Sequence, residues 1–80
     1  MNDVNGKPLK DGASVRLLRA PPELLKGLPK EDQAAIKWAE REVDMQMIGK
    51  DKFGNVELEF RDPEGTWHFI FVPPTAVAAV

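Results

Sequence analysis

The sequence predicts a small, mainly β domain that contains one α-helix of ordinary length. The strongest β signal is Val56–Val72, where an alternating apolar run and an aromatic run flank a turn, as in a hairpin with a buried face. The turn is Asp62–Gly65, and its sequence Asp-Pro-Glu-Gly suits a type I turn followed by a glycine bulge. Helical spacing of apolar residues occurs in Lys30–Arg41, whose first turn is acidic and whose last turn is basic.

The turn predicts how the two strands of the hairpin pair. With Asp62 opposite Thr66, the pairs on one face are Phe60–His68, Leu58–Ile70 and Val56–Val72, and those on the other are Arg61–Trp67, Glu59–Phe69 and Glu57–Phe71. The first face is almost wholly apolar, and the second combines charges with three aromatic rings. These rings either form a second small core beneath the helix and residues 21–29, or form a surface that binds a protein partner or another copy.

Residues 1–12 are expected to form a flexible N-terminal arm, and residues 13–80 the single domain. The first strand is expected over Ala13–Ala20. Pro21–Pro22 ends it, because neither residue can donate a hydrogen bond to a strand ladder. Residues 23–29 form a short apolar connection with room for one helical turn.

The helix over Lys30–Arg41 is predicted to be an insertion in the first long loop. Its apolar stripe consists of Ala35, Ile36 and Ala39, while Trp38 lies off the stripe. The stripe is narrow and its residues are small, so the helix is expected to pack closely on the sheet.

Val43–Ile48 is expected to be the second strand, and its pairing with the hairpin has two possible registers. A type I turn over Asp51–Gly54 would place Met45 and Met47 on the aromatic face. A longer loop over Lys50–Asn55 would instead bury both methionines in the core. The longer loop is preferred, because it buries the alternating residues on one side.

Length, charge and composition limit the classes of protein to be considered. Eighty residues form one small domain, and the absence of Cys excludes disulfides and thiolate metal sites. The net charge of −2 argues against a dedicated nucleic-acid binder, which usually carries a basic stripe. No run of apolar residues is long enough for a transmembrane helix, and the first residues lack the apolar core of a signal peptide. A soluble, cytoplasmic protein is expected.

The order of elements resembles that of the SH3-like barrel. The resemblance is carried by Gly12–Val15 at the first strand, the tight turn at Asp62–Gly65, and Phe71–Val77 near the end. The last segment looks like the strand, 3₁₀ turn (Pro74–Ala76) and final strand (Ala76–Val80) that close such barrels. The resemblance implies a five-stranded SH3-like barrel, similar to small uncharacterised bacterial SH3-like proteins.

The chain also departs from the families that share this fold. Peptide-binding SH3 domains carry a tyrosine-rich surface and an acidic first loop, whereas this chain has no Tyr and a helix in that loop. SH3-like ribosomal and elongation-factor proteins are usually more basic. The resemblance therefore implies a fold, and a fold does not by itself transfer a function.

Neither catalysis nor metal binding has a recognisable signature in the sequence. Ser14 is the one serine and His68 the one histidine, and their spacing gives no reason for them to meet as a nucleophile and base. His68 is expected to face inward beside Phe60. The carboxylates are scattered among basic residues, and the glycines are isolated turn residues that form no phosphate-binding loop. No enzyme activity, metal or cofactor is expected.

The predicted function is that of a non-enzymatic interaction module without a small-molecule cofactor. Its candidate contacts with a protein partner, or with a second copy, are Trp67, Phe69, Trp38 and Arg61. The alternative is association with RNA or the ribosome, which requires basic residues to converge on one face: Arg16, Arg19, Lys26, and Lys37 or Arg41. A small enzyme is a third possibility, for which a cleft joining His68 to a carboxylate is the minimum requirement.

Overall fold

The computed structural model describes residues 1–80, and most of the regular structure lies in one antiparallel β-sheet. Its five strands are β1 (Ser14–Leu17), β2 (Asp44–Lys50), β3 (Val56–Arg61), β4 (Trp67–Val72) and β5 (Val77–Ala79). The order across the sheet is β4-β3-β2-β1-β5, so β4 and β5 are the edges, and the sheet is not closed. The prediction of a mainly β domain is confirmed.

The first long loop holds two helices, α1 (Pro22–Lys26) and α2 (Lys30–Ala39), so the prediction of one helix was incomplete. Pro22 occupies the first turn of α1, where its fixed φ suits a helix and its missing N–H is no loss. Leu24 and Leu25 of α1 pack against the core. These contacts stabilise a helix that is too short to persist alone.

The hairpin of β3 and β4 has the register that the turn predicts, with Phe60 opposite His68 and Arg61 opposite Trp67. The Asp62 N–H donates to the Thr66 carbonyl at 2.9 Å, and the Gly65 N–H donates to the Asp62 carbonyl at 3.0 Å. Gly65 has a φ of 88°, the left-handed conformation that the bulge position requires.

The turn between β2 and β3 combines features of both predicted registers. Asp51 N–H donates to the Asn55 carbonyl and Gly54 N–H to the Asp51 carbonyl, so the shorter turn is present and the preferred longer loop is wrong. Met45 and Met47 are nevertheless buried. A bulge at Ile48 reconciles the two observations, because it shifts the register by one residue between Met47 and Gly49.

The inner face of the sheet and the helices share one hydrophobic core. From α2 it receives Ala35, Ile36 and Ala39, the three positions that the helical spacing predicts. Each of the five strands contributes its inward-facing residues: Val15, Leu17, Met45, Met47, Val56, Leu58, Phe60, Ile70, Val72 and Val77. The 3₁₀ turn lies at Pro74–Ala76 as predicted, and β5 after it pairs with β1.

Residues 1–12, which the sequence predicts to be flexible, make specific contacts with β5 at one edge of the sheet. The buried side chain of Asp3 accepts a hydrogen bond from Ala79 N–H at 2.7 Å, and Val4 N–H donates to the Val77 carbonyl at 3.0 Å. Leu9 belongs to the hydrophobic core. The hydrogen bond from Ala79 also holds the pKa of Asp3 below its ordinary value.

Neither helix has the length and apolar character needed to span a lipid bilayer.

Two single-residue deletions test the bulge. Deletion of Ile48 should leave both methionines in the core, because Met47 and Gly49 already occupy successive positions of a regular ladder. We expect this variant to fold and to lose less than about 3 kcal/mol in free energy of unfolding. Deletion of Glu59 from the middle of β3, which has no bulge against β4, moves the buried Leu58 to the outer face and should cost ~2–5 kcal/mol more than deletion of Ile48. Urea denaturation measures both losses, and equal losses would contradict the account.

Candidate functional site

Three aromatic side chains lie side by side on the outer face of β4. Trp67 is 53% exposed, Phe69 is 57% exposed and Phe71 is 46% exposed. Both helices pack on the inner face, so these three residues, which we call the aromatic row, are not a second core. The interpretation as a second core is therefore wrong, and the three rings are exposed.

The alternation of β4 places the aromatic row outside. Ile70 and Val72 point into the core and are buried, so the residues between them must point to the opposite face. Each residue of the row stands opposite a charged residue of β3: Trp67 opposite Arg61, Phe69 opposite Glu59, and Phe71 opposite Glu57.

Arg61 is held against the row by two interactions. Its guanidinium carbon lies 5.7 Å from the centroid of the Trp67 ring, within the range of a cation–π contact. Its Nε donates to the Gly65 carbonyl at 3.0 Å. Arg61 therefore caps the Trp67 end of the row, and the glutamates of β3 flank the rest.

Trp38 lies apart from the aromatic row, although the sequence grouped it with Trp67, Phe69 and Arg61. It is 44% exposed on α2. It lines a separate groove of about 390 Å³, whose other side is the turn Asp62–Glu64. The structure thus brings together three of the four predicted contact residues.

His68 faces inward as predicted and joins the hairpin to α2. Its ring stacks on Phe60 with 5.0 Å between centroids. Its Nε2 lies 2.8 Å from Asp62 Oδ2, and its Nδ1 lies 3.6 Å from Asp32 Oδ1. The proximity of Asp32 to His68 was not predicted from the sequence. The one sequence feature that indicates it is the four-residue spacing from Asp32 to the buried Ile36, which places both residues on one face of α2.

A groove joins His68 to a carboxylate, which is the minimum requirement for a small enzyme, but no nucleophile lines this groove. The groove lies between β4 and the segment Leu28–Ile36, with a volume of about 190 Å³, and Asp32 also lines it. Ser14 is on β1, opposite Gln46 on the outer face, with β2 and β3 between it and β4. Ser14 and His68 therefore do not form a nucleophile–base pair. No three His, Asp or Glu side chains converge in a way that could hold a metal ion.

A third groove is lined by some of the basic residues that association with RNA would require. Arg19, Lys37 and Arg41 line a groove of about 530 Å³, together with Glu40. Lys26 does not line it. Arg16 instead pairs with Asp44 and donates to the Arg41 carbonyl at 2.9 Å.

Arg41 has a φ of 66°, a left-handed conformation that is uncommon for residues with a side chain. The conformation lets its N–H donate to the carbonyl of Leu17, the last residue of β1, and its Nε to the carbonyl of Leu18, which follows the strand. Glu40 is likewise engaged, because it accepts from Ala20 N–H at 2.6 Å. Part of the charge in this groove thus serves the connection between α2 and β1.

Asp62 is the electrostatic centre of the hairpin turn. The hydrogen bond from His68 contributes most to lowering the pKa of Asp62, and the backbone N–H groups of Thr66 and Glu64 act in the same direction. Because an ionised carboxylate only accepts hydrogen bonds, Nε2 of His68 is the donor. The carboxylate therefore holds the turn and the His68 ring in one arrangement.

Searches for similar proteins returned no matching family model, no matching curated protein and no matching solved structure.

The Asp62 contacts predict a loss of stability in acid. Because the folded pKa of Asp62 is lowered, its contribution is fully present above the ordinary aspartate pKa of about 4 and is lost as the pH falls through the folded pKa. Asp62→Asn should be less stable than wild type at pH 7, and the difference in unfolding free energy should shrink in acid. Urea denaturation at a series of pH values measures it. A difference that stays constant from neutral pH into strong acid would contradict this role.

Proposed function

We propose that this protein is a non-enzymatic interaction module that binds a protein partner through the aromatic row and Arg61. The observation that carries the proposal is the row itself: three large rings, each about half exposed, on one face of an edge strand. Aromatic residues and arginine are enriched in the centres of protein interfaces.

The size of the row indicates the kind of complex. An aromatic side chain can bury 150–250 Å², so three half-exposed rings offer on the order of 300 Å² of apolar surface. At about 25 cal/mol per Å², its burial contributes at most ~7 kcal/mol, from which the entropic cost of association must be subtracted. A transient complex fits these magnitudes, and an obligate one does not.

We also propose that the fold is SH3-like. In support, a 3₁₀ turn separates β4 from β5, as the resemblance implies, and β1 pairs with both β2 and β5. The lack of Tyr and the helices in the first loop argue against recognition of proline-rich peptides by the usual SH3 groove. The absence of cysteine suits the reducing environment of a cytoplasmic protein.

Association with RNA is the second candidate function. It is favoured by one observation, the convergence of Arg19, Lys37 and Arg41 on one groove. Against it stand the net charge of −2 and the use of Arg41 in holding the end of β1. The phosphate backbone of a nucleic acid would require further cations in the same place.

Selection of short peptides from a random displayed library tests the proposed function. We expect Trp67→Ala and Phe69→Ala each to weaken the binding of the selected peptides about tenfold or more, because each removes a central aromatic contact. Both side chains are exposed, so each variant should retain the fold, which circular dichroism checks.

Two further variants make the result specific. Phe53→Ala removes an aromatic side chain that is 78% exposed on the β2–β3 turn, and it should bind as wild type does. Lys37→Glu changes the basic groove and should also have no effect on the peptides. If the selected ligands are insensitive to Trp67→Ala, or are lost with Lys37→Glu, the proposed binding surface is wrong.

A further inference from the structure

The free edge of β4 carries backbone groups that have no partner within the chain. Hydrogen-bonded and non-bonded pairs alternate along an antiparallel ladder, and the Asp62 N–H donates to the Thr66 carbonyl at the turn. Pairing with β3 therefore uses the backbones of His68, Ile70 and Val72. The N–H and C=O groups of the aromatic row point away from β3, and no turn, loop or helix bonds to them.

This edge lacks the features that usually prevent strand pairing. Across its six residues, Trp67–Val72, β4 contains no proline, no Lys, Arg, Asp or Glu, and no register shift against β3. Natural sheet edges are commonly protected by such charges, prolines or bulges. The chain instead presents a regular hydrogen-bonding edge directly beside its largest exposed aromatic surface.

A groove runs along the inner side of the same edge. It lies between β4 and the segment Leu28–Ile36, and its volume is about 190 Å³. Successive side chains of a strand point to opposite faces of a sheet. A strand added to β4 would therefore place alternate side chains against the aromatic row and the others in this groove.

Charges at the edge favour a basic occupant. Glu57 and Glu59 of β3 flank the aromatic row. Arg61 is the one base paired across from the row, and it is already engaged with the Trp67 ring and the Gly65 carbonyl. The stems of Lys or Arg side chains can lie across aromatic rings while their charged ends reach carboxylates beyond them.

We infer that β4 receives an extended segment of a protein partner as an additional strand, with Lys or Arg on the aromatic side and apolar residues on the groove side. The inference rests on the proposed function, because both use the aromatic row. It adds the backbone pairing and the chemistry of the partner.

A second copy of the chain matches this edge less well. Strand pairing between two copies would bring the carboxylates of Glu57, Glu59 and Asp32 toward their counterparts across the new ladder. The chain has a net charge of −2, so the two copies would also repel each other at long range. Lys or Arg residues on the aromatic side of a partner strand would instead neutralise Glu57 and Glu59.

The probe is an end-blocked octapeptide of alternating Lys and Val, titrated into the full chain and followed by calorimetry and amide exchange. Its charge-reversed counterpart carries Glu in place of Lys. Two further versions are N-methylated on the backbone. The first carries a methyl group on the backbone nitrogen of every Lys, and the second on the backbone nitrogen of every Val. Only every second N–H of an added strand faces β4, so one methylated peptide should lose binding and the other should keep it.

The Lys-Val peptide should bind at least tenfold more tightly than the Glu-Val peptide at low salt, and should slow the exchange of the Trp67, Phe69 and Phe71 amides. Glu59→Gln should weaken the binding of the Lys-Val peptide about two- to fivefold, because it removes an exposed ion pair. Phe53→Ala should bind it as wild type does.

Each contrary result separates this inference from the proposed function. Equal binding of both methylated peptides would mean that ligands dock on the rings without pairing to the backbone, so the inference fails while the proposed function stands. Equal binding of the Lys and Glu peptides, or no binding of either, overturns the stated partner chemistry. A dimer that forms without peptide and protects the β4 amides identifies a second copy as the occupant, which also overturns it.

Discussion

The structure depends on the carboxylate of Asp62. It accepts hydrogen bonds from the Glu64 and Thr66 N–H groups, which fixes the turn, and from His68, which stacks on Phe60 in the core. A turn of fixed length sets the register of β3 against β4. Because a shift of one residue would exchange the two faces of β4, the same carboxylate keeps the aliphatic residues of that strand inside and its aromatic row outside. The core and the candidate interaction surface are thus two consequences of one constraint.

Asp51 repeats this arrangement in the preceding turn, where it accepts from the Phe53 and Asn55 N–H groups. Here the turn alone would have placed the wrong face of β2 in the core. The bulge at Ile48 supplies the missing residue, so that the turn keeps its preferred geometry and the methionines are still buried. Local turn chemistry and hydrophobic burial, which conflict at the level of the sequence, are both satisfied at the expense of one irregular ladder position.

Local patterns predicted the hairpin register, the buried face of α2 and the 3₁₀ turn, because each depends on residues close together in the chain. The bulge and the docking of Asp3 on β5 depend on tertiary contacts, and no local pattern specifies them. The same division holds for the site. Alternation placed the aromatic row on one face, but whether a helix covers it is decided by the packing of α2 on the other face.

The open edge of β4 is the property on which the inferred strand addition depends, and amide hydrogen exchange resolved by residue measures it most directly. With the protein dilute and without ligand, the amides of Trp67, Phe69 and Phe71 should exchange rapidly, while those of His68, Ile70 and Val72, which bond to β3, should be protected. This alternation would establish a free strand edge beside the exposed rings. Equal protection of all six amides would show that the edge is covered, and β4 could then not receive an added strand.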